Sequence, residues 1–123
     1  MSARSFALLT TLALLCGSAA AHHSNTMFDN ANPVTLTGTV RAFQWHNPHT
    51  YIQLQVTNAQ GATEEWAVEM AAPMYLYNLG WRPSTLKEGD KVTVAMWPLR
   101  SGEKGGLAQE VLDGKGEHIG RAP

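Results

Sequence analysis

The sequence predicts an all-β protein: a small five-stranded barrel of the OB type, with one short helix between the third and fourth strands. Five segments alternate apolar and polar residues with the period of two that half-buried strands show. Turn-forming residues separate these segments, and one proline-led helical segment interrupts them after the third. This order of elements is typical of OB barrels. A small antiparallel β-sandwich is the alternative, because a count of strands does not establish closure.

A secretory signal peptide is predicted at residues 1–21. Arg4 supplies the positive start, residues 6–15 form an almost uninterrupted apolar run, and small residues fill positions 17–21. The apolar run is too short to serve as a permanent membrane anchor. We therefore expect a periplasmic or secreted bacterial protein without such an anchor.

Two cleavage positions are compatible with this signal. Cleavage after Ala21 makes His22 the first mature residue, whereas cleavage after Ala20 retains Ala21. The Ala-x-Ala preference favours the first. The single cysteine, Cys16, is removed in either case, so the mature protein is predicted to have neither a disulfide nor thiolate chemistry.

The mature chain of 102 residues is long enough for one domain. It contains eight Lys and Arg residues against ten Asp and Glu residues, a formal charge of −2. Nucleic-acid binding requires clustered cations that replace condensed counterions, and this composition does not provide them. We expect the partner to be a periplasmic protein or a small ligand and not a nucleic acid.

The first two strands flank a rigid corner at Asn47-Pro48. The first strand begins at Val34, and extending its alternation puts Phe43 and Trp45 on the outer face. Proline lacks an N–H and disfavours helix in the residue before it, so the corner ends the first strand. The second strand is predicted over 49–56, with His49 and Tyr51 outward.

The remaining elements complete the predicted barrel at residues 34–113. The third strand spans 63–70, with Glu65 and Glu69 outward. A helix over 74–79 follows Pro73 and ends at Gly80. The fourth and fifth strands are expected at 91–97 and 107–112. Residues 22–33 are predicted to form an amino-terminal arm, and residues 114–123 a flexible tail.

His46 and His49 are the first candidates for chemistry. They lie three residues apart across the prolyl corner, so their proximity depends on the turn and not on a helix. Two histidines alone are a weak indication of a metal site, and both residues are equally compatible with an ordinary surface turn.

The predicted mature terminus strengthens the metal hypothesis. The free amine and the imidazole Nδ1 of His22 can chelate one ion, and the imidazole of His49 or His46 can complete a T-shaped set of three nitrogens. Such a set suits copper, because Cu(II) accepts tetragonal geometry and ranks highest for nitrogen ligands. We therefore predict a copper site at His22 and His49, with His23 or His46 as an auxiliary ligand.

Cleavage after Ala20 would create a competing arrangement. Ala21, His22 and His23 would then offer an amine, two backbone amides and the His23 imidazole as a square-planar chelate for copper or nickel. This chelate would need no folded domain. The alternative for both histidines is that a polar arm simply follows the signal peptide.

A second functional hypothesis needs no metal. Trp45 and Tyr51 on a common outer face could bind a ligand or a protein partner, since OB barrels bind ligands across strands two and three. Glu69 borders this predicted pocket, although a solvated strand face explains Glu65 and Glu69 equally well. No Gly-x-Ser-x-Gly motif or phosphate-binding loop is present, so the sequence favours a non-catalytic protein.

Several motifs resemble those of a family of small exported bacterial proteins known as domain of unknown function 6152. They cover most of the mature chain and comprise Ala21-His22-His23-Ser24, the Val34–Val40 strand, Trp45-x-Asn47-Pro48-His49, Glu65-Trp66-x-x-Glu69-Met70, Gly80-Trp81 and Leu86-x-x-Gly89-Asp90-x-Val92. The resemblance implies export and a compact β fold and brings no established activity. His49 belongs to the Asn-Pro-His motif of the family, which ranks it above His46.

Overall fold

A computed structural model describes residues 25–121 of the chain, and the predicted signal peptide lies outside this range. The strands form a closed barrel in the order β1-β2-β3-β5-β4. A short 3-10 helix at Asn25–Met27 precedes the barrel. The other elements are β1 (Val34–Gln44), β2 (Tyr51–Thr57), β3 (Thr63–Glu69), α1 (Pro73–Asn78), β4 (Lys91–Pro98) and β5 (Gly105–Leu112).

Strand β1 closes the barrel because it pairs with two neighbours. Its first half lies antiparallel to β4 and its second half antiparallel to β2. Strands β3 and β5 run parallel over a short contact, from the Ala67–Gly105 pair to the Glu69–Leu107 pair. A closed five-stranded barrel with its helix between β3 and β4 has the arrangement of an OB fold. The predicted fold class is confirmed, and the β-sandwich alternative is wrong.

The predicted alternation holds in β2 and β4. The inward residues of these two strands are buried: Ile52, Leu54, Val56, Val92, Val94 and Met96. Strand β2 begins at Tyr51, two residues later than predicted, and β5 begins at Gly105, two residues earlier. Gly38 lies on the apolar side of β1, where a Cβ would collide with the Gln55 carbonyl and lie 2.9 Å from Leu54 Cγ. The close approach of β1 to β2 therefore requires glycine at position 38.

The predicted outward placement of Phe43 and Trp45 is wrong. The pairing of β1 with β2 shifts between Val40 and Ala42, so that Arg41 is an extra residue in β1. One extra residue inverts the face of every later side chain in a strand. Phe43 consequently pairs with Ile52, and Phe43 and Trp45 pack against the core.

Helix α1 covers one part of the barrel core. Pro73 occupies its first turn, where a missing N–H costs no hydrogen bond. Leu76 is fully buried, and the backbone N–H of Trp81 donates to the Leu76 carbonyl. Gly80 adopts a φ of 94°, which ends the helix in a conformation that favours glycine.

Residues 114–121, which belong to the predicted flexible tail, contact the barrel. The backbone N–H of Ile119 donates to the Val111 carbonyl, and the Ile119 side chain packs against the core. The N–H of Arg121 donates to the Leu79 carbonyl, and the Arg121 carbonyl accepts a 3.2 Å bond from Trp81 Nε1. Ile119, an apolar residue in a polar, glycine-rich segment, thus attaches this segment to the barrel.

The amino-terminal arm is also attached where it enters the barrel. Phe28 is buried and forms a β-bridge with Leu99, and the Met27 carbonyl accepts a hydrogen bond from the N–H of Arg100. The arm therefore joins the barrel at the loop between β4 and β5.

Candidate functional site

Two connections meet where His49 lies. Antiparallel pairing brings the loop between β1 and β2 (residues 45–50) beside the chain that follows β3. The loop between β4 and β5 (residues 99–104) contacts the described part of the arm and leads into β5 beside Ala67, two residues before the end of β3. The β1–β2 and β4–β5 loops and the face of strands two and three are the usual ligand-binding region of an OB fold.

The backbone of the β1–β2 loop is fixed just before β2 begins. The N–H of Thr50 donates to the Ala71 carbonyl at 3.2 Å, and the N–H of Met70 donates to the Thr50 carbonyl at 2.8 Å. These bonds extend the pairing of β2 with β3 beyond Tyr51. His49, which precedes Thr50, lies beside the end of β3. The Asn47-Pro48 peptide bond in the same loop is cis.

His49 contacts two acceptors through one ring nitrogen. Its Nδ1 atom lies 3.2 Å from the Met70 carbonyl oxygen and 3.3 Å from Glu69 Oε1. Because a carbonyl oxygen can only accept, Nδ1 must carry the proton in this arrangement. In the neutral ring the lone pair is then on Nε2, which is the tautomer of many metal-binding histidines.

Glu69 lies on the outer face of β3, as predicted, but it is only 8% exposed and does not form the solvated face that was the alternative. Its strand partner is Tyr51. Burial raises the pKa of the Tyr51 hydroxyl above 10.0, and the negative charge of Glu69 and a hydrogen bond to it act in the same direction. Glu69 thus interacts with both neighbours, and the three residues His49, Tyr51 and Glu69 are called the Glu69 cluster below.

His46 lies next to this cluster, whereas Trp45 does not share its face. The ring centroids of His46 and Tyr51 are 6.3 Å apart, and His46 is exposed. The Trp45 ring makes an edge contact with Phe43, at 5.8 Å between centroids, and packs against the core. The predicted outer face of Trp45 and Tyr51 is therefore not formed.

The remaining predicted ligands, His22 and His23, lie outside the described residues. Within residues 25–121, no three His, Cys, Asp or Glu side chains converge on a point that could hold a metal ion. The described part of the chain places one imidazole, that of His49, beside one carboxylate, that of Glu69.

The pairing of His49 with Glu69 was not predicted from the sequence, although the hairpin between β2 and β3 contains the necessary information. The turn at residues 58–62 pairs Thr57 with Thr63, and counting outward from this pair brings Tyr51 opposite Glu69. The register therefore indicates that Glu69 lies beside the start of β2. The burial of the Glu69 carboxylate involves the conformation of the β1–β2 loop, and no feature of the sequence indicates that conformation.

Across residues 25–121, no helix combines the length and the apolar character needed to cross a membrane.

Comparison with solved structures finds similarity to a crystal structure of the mitochondrial single-stranded DNA binding protein Rim1 from S. cerevisiae. The two chains share 11% identity with a TM-score of 0.47, and the alignment covers 74% of this chain and 97% of the other. Similarity at this level carries no argument about function.

No curated protein matches the chain. A family model does match, over residues 10–109, and the protein belongs to this family of unknown function, DUF6152.

Proposed function

We propose that this protein is a small exported metal-binding protein that binds copper at the Glu69 cluster. In this proposal His49 binds the ion through Nε2. The mature amino-terminal residue, His22, contributes its amine and its imidazole, and His23 or His46 is auxiliary. The observation that carries the proposal is the position of His49 Nδ1, which donates to the Met70 carbonyl and lies 3.3 Å from Glu69 Oε1. A carboxylate or carbonyl that accepts from the second ring nitrogen is the usual partner of a metal-binding histidine.

The buried carboxylate adds an electrostatic argument. A negative charge that is removed from water is costly unless it is hydrogen-bonded and balanced by a cation. Tyr51 forms a hydrogen bond with Glu69 and the His49 ring lies 3.3 Å from it, but neither residue carries a fixed positive charge. A metal cation on the far side of the His49 ring would lower the electrostatic cost of burying this carboxylate.

The path of the arm makes a contribution from His22 geometrically feasible. The arm is bound at Met27 and Phe28 to the β4–β5 loop, which leads into β5 beside Ala67, two residues before Glu69 on β3. Three residue-to-residue steps connect His22 to Asn25, and an extended chain of this length reaches about 10 Å. In this proposal the terminal amine uses this reach to bind the same ion as His49.

Copper titration of a matched set of chains tests the proposal. The reference chain begins at His22 and carries His23→Ala, which removes the competing terminal chelate. Adding His49→Ala, or retaining Ala21 before His22, should each weaken Cu(II) binding by more than about tenfold, because each change removes at least one nitrogen ligand. Copper affinity that is unchanged in the chain with the extra Ala21 would refute the terminal chelate. Unchanged affinity in the His49→Ala chain would refute the barrel ligand.

Native mass spectrometry of the protein exported by its bacterial host complements this titration. The proposal expects a mass that begins at His22 and includes one copper ion. A chain that retains residues 1–21 would contradict export.

A further inference from the structure

A cavity lies beside the start of β4, and none of its lining residues belongs to the Glu69 cluster. Its volume is about 420 Å³, and it opens between the start of β4 and the segment after β5. Buried Leu86 and Val92 and the half-buried side chain of Ile119 supply its apolar lining. Residues 113–119 fold back onto the barrel and form the outer wall of the cavity.

Charged residues of both signs surround this apolar lining. Asp90 and Asp113 supply two carboxylates, and Lys91 and Lys115 supply two ammonium groups. Among residues 25–121, neither carboxylate forms an ion pair with a lysine at 4.0 Å or less, although charged residues elsewhere on the barrel do pair. Backbone hydrogen bonds lower the pKa of Asp113, and the positive charge of Lys115 nevertheless lowers it further from beyond this distance. The cavity therefore carries charges of both signs that are not in direct contact.

The backbone fixes the positions of the two carboxylates. Asp90 Oδ2 accepts a 2.8 Å bond from the N–H of Lys87, and Asp113 Oδ1 accepts from the N–H groups of Lys115 and Glu117. The bonds from Glu117 and Lys115 lower the pKa of Asp113, so this carboxylate is ionised at neutral pH. Lys91 Nζ has a long, 3.4 Å bond to Thr39, which makes Lys115 the less constrained cation.

We propose that this cavity binds a small zwitterion with an apolar body, such as a free apolar amino acid or a short apolar peptide. The ammonium group of the ligand would interact with Asp90 and Asp113, its carboxylate with Lys115 and Lys91, and its side chain with the apolar lining. A ligand with one charge would leave the opposite pair of protein charges unneutralised. The volume lies within the range of cavities that hold small organic ligands.

Titration of the full mature protein in metal-free buffer tests this assignment, with the backbone amide resonances of Val92, Lys115 and Ile119 as the readout. Leucine and the dipeptide Leu-Leu should shift these resonances, with dissociation constants in the millimolar range or lower. If leucine binds more tightly, the ligand is a free amino acid, and if Leu-Leu binds more tightly, it is a peptide. The single-charge analogues 4-methylpentanoate and isoamylamine should bind about fivefold more weakly, the size expected for loss of one partly exposed ion pair.

Two variants test the negative and the positive charge of the cavity one at a time. Asp90→Asn keeps an acceptor for the Lys87 N–H, and it should weaken leucine binding but not the binding of 4-methylpentanoate. Lys115→Gln should weaken leucine binding but not that of isoamylamine, whereas Lys104→Gln, in the β4–β5 loop and outside the cavity, should change neither. The proposal is overturned if the three resonances do not respond to leucine or Leu-Leu, or if the single-charge analogues bind as strongly as leucine.

Discussion

His49 Nδ1 lies 3.3 Å from Glu69 Oε1, so a loop imidazole and a buried strand carboxylate face each other where the β1–β2 loop meets the end of β3. The Met70 carbonyl accepts from the same nitrogen at 3.2 Å. This geometry fixes the orientation of the ring through two acceptors, one of which is charged when ionised. The copper proposal therefore depends on Glu69 as a positioning residue as well as on His49 as a ligand.

Replacing Glu69 should weaken copper binding without removing a ligand. We expect Glu69→Gln to lower the Cu(II) affinity by about 10-fold to 100-fold, the usual cost of losing the partner of a metal-binding histidine. Glu65→Gln is the matched control, because Glu65 is exposed on the same strand. Isothermal titration of both variants in the reference chain that begins at His22 measures the difference. Equal affinities for the two variants would contradict the role of Glu69.

The titration of Tyr51 tests the cluster without any metal. Burial and the neighbouring Glu69 carboxylate raise the pKa of the Tyr51 hydroxyl above 10.0. Absorbance titration of the wild type and of Tyr51→Phe should give a difference curve with its midpoint above pH 10.0, and Glu69→Gln should move this midpoint downward.

The raised pKa of Tyr51 makes the free energy of unfolding depend on pH in the alkaline range. Because the folded-state pKa is the higher one, folded protein keeps the Tyr51 proton at a pH where the unfolded chain releases it. The stabilising contribution is complete below the unfolded pKa and is lost as the pH rises through the folded pKa. Tyr51→Phe should therefore decrease the dependence of unfolding free energy on pH in this alkaline range, and an unchanged dependence would contradict the shift.

Much of the barrel could be predicted from hydrophobic alternation, because neither β2 nor β4 contains an extra residue that interrupts the period of two. The prediction failed where one residue interrupts the period. Arg41 is polar and exposed, as an outward residue would be, and the sequence contains no other sign that β1 is bulged there. The register after Arg41 was therefore predicted one position out of phase, and Trp45 was assigned to the wrong face.

The site was predictable only in part, for a different physical reason. The Asn-Pro-His corner identifies His49 as a candidate, but the partner of His49 is determined by strand pairing across β2 and β3. Ionic residues such as Glu69 are usually solvated on a strand face. Only the three-dimensional contact with the loop before Tyr51 buries this carboxylate. The attachment of the carboxy-terminal segment through Ile119 is similarly a tertiary effect that composition does not reveal.

The close approach of β1 to β2 predicts a large effect at Gly38. A Cβ at this position would collide with the Gln55 carbonyl and lie 2.9 Å from Leu54 Cγ. We expect Gly38→Ala to lower the free energy of unfolding by about 1–3 kcal/mol, as overpacking does in other cores. Gly114→Ala is the control, because its nearest contacts would be ordinary ones at 3.6 Å. Urea denaturation of both variants measures the effect, and equal stabilities would refute the close approach.

Attachment of the carboxy-terminal segment to Trp81 can be tested with two glycines that share one backbone conformation. Gly116 and Gly120 have φ values of 82° and 65°, so alanine introduces backbone strain at either position. At Gly120, a Cβ would also lie 2.5 Å from Trp81 Nε1 and 2.8 Å from Cδ1, whereas at Gly116 no atom lies within 4 Å. Gly120→Ala should therefore lower the unfolding free energy by about 1–3 kcal/mol more than Gly116→Ala does.

Thermal and urea unfolding of the two alanine variants gives this difference, and Trp81 provides a second readout. Trp81 is fully buried, and its Nε1–H donates to the Arg121 carbonyl. Displacement of residues 120–121 would remove this acceptor, so the indole N–H of Trp81 should exchange with solvent faster in Gly120→Ala than in Gly116→Ala. Equal stability and equal exchange in the two variants would mean that residues 114–121 are the flexible tail that their composition predicts.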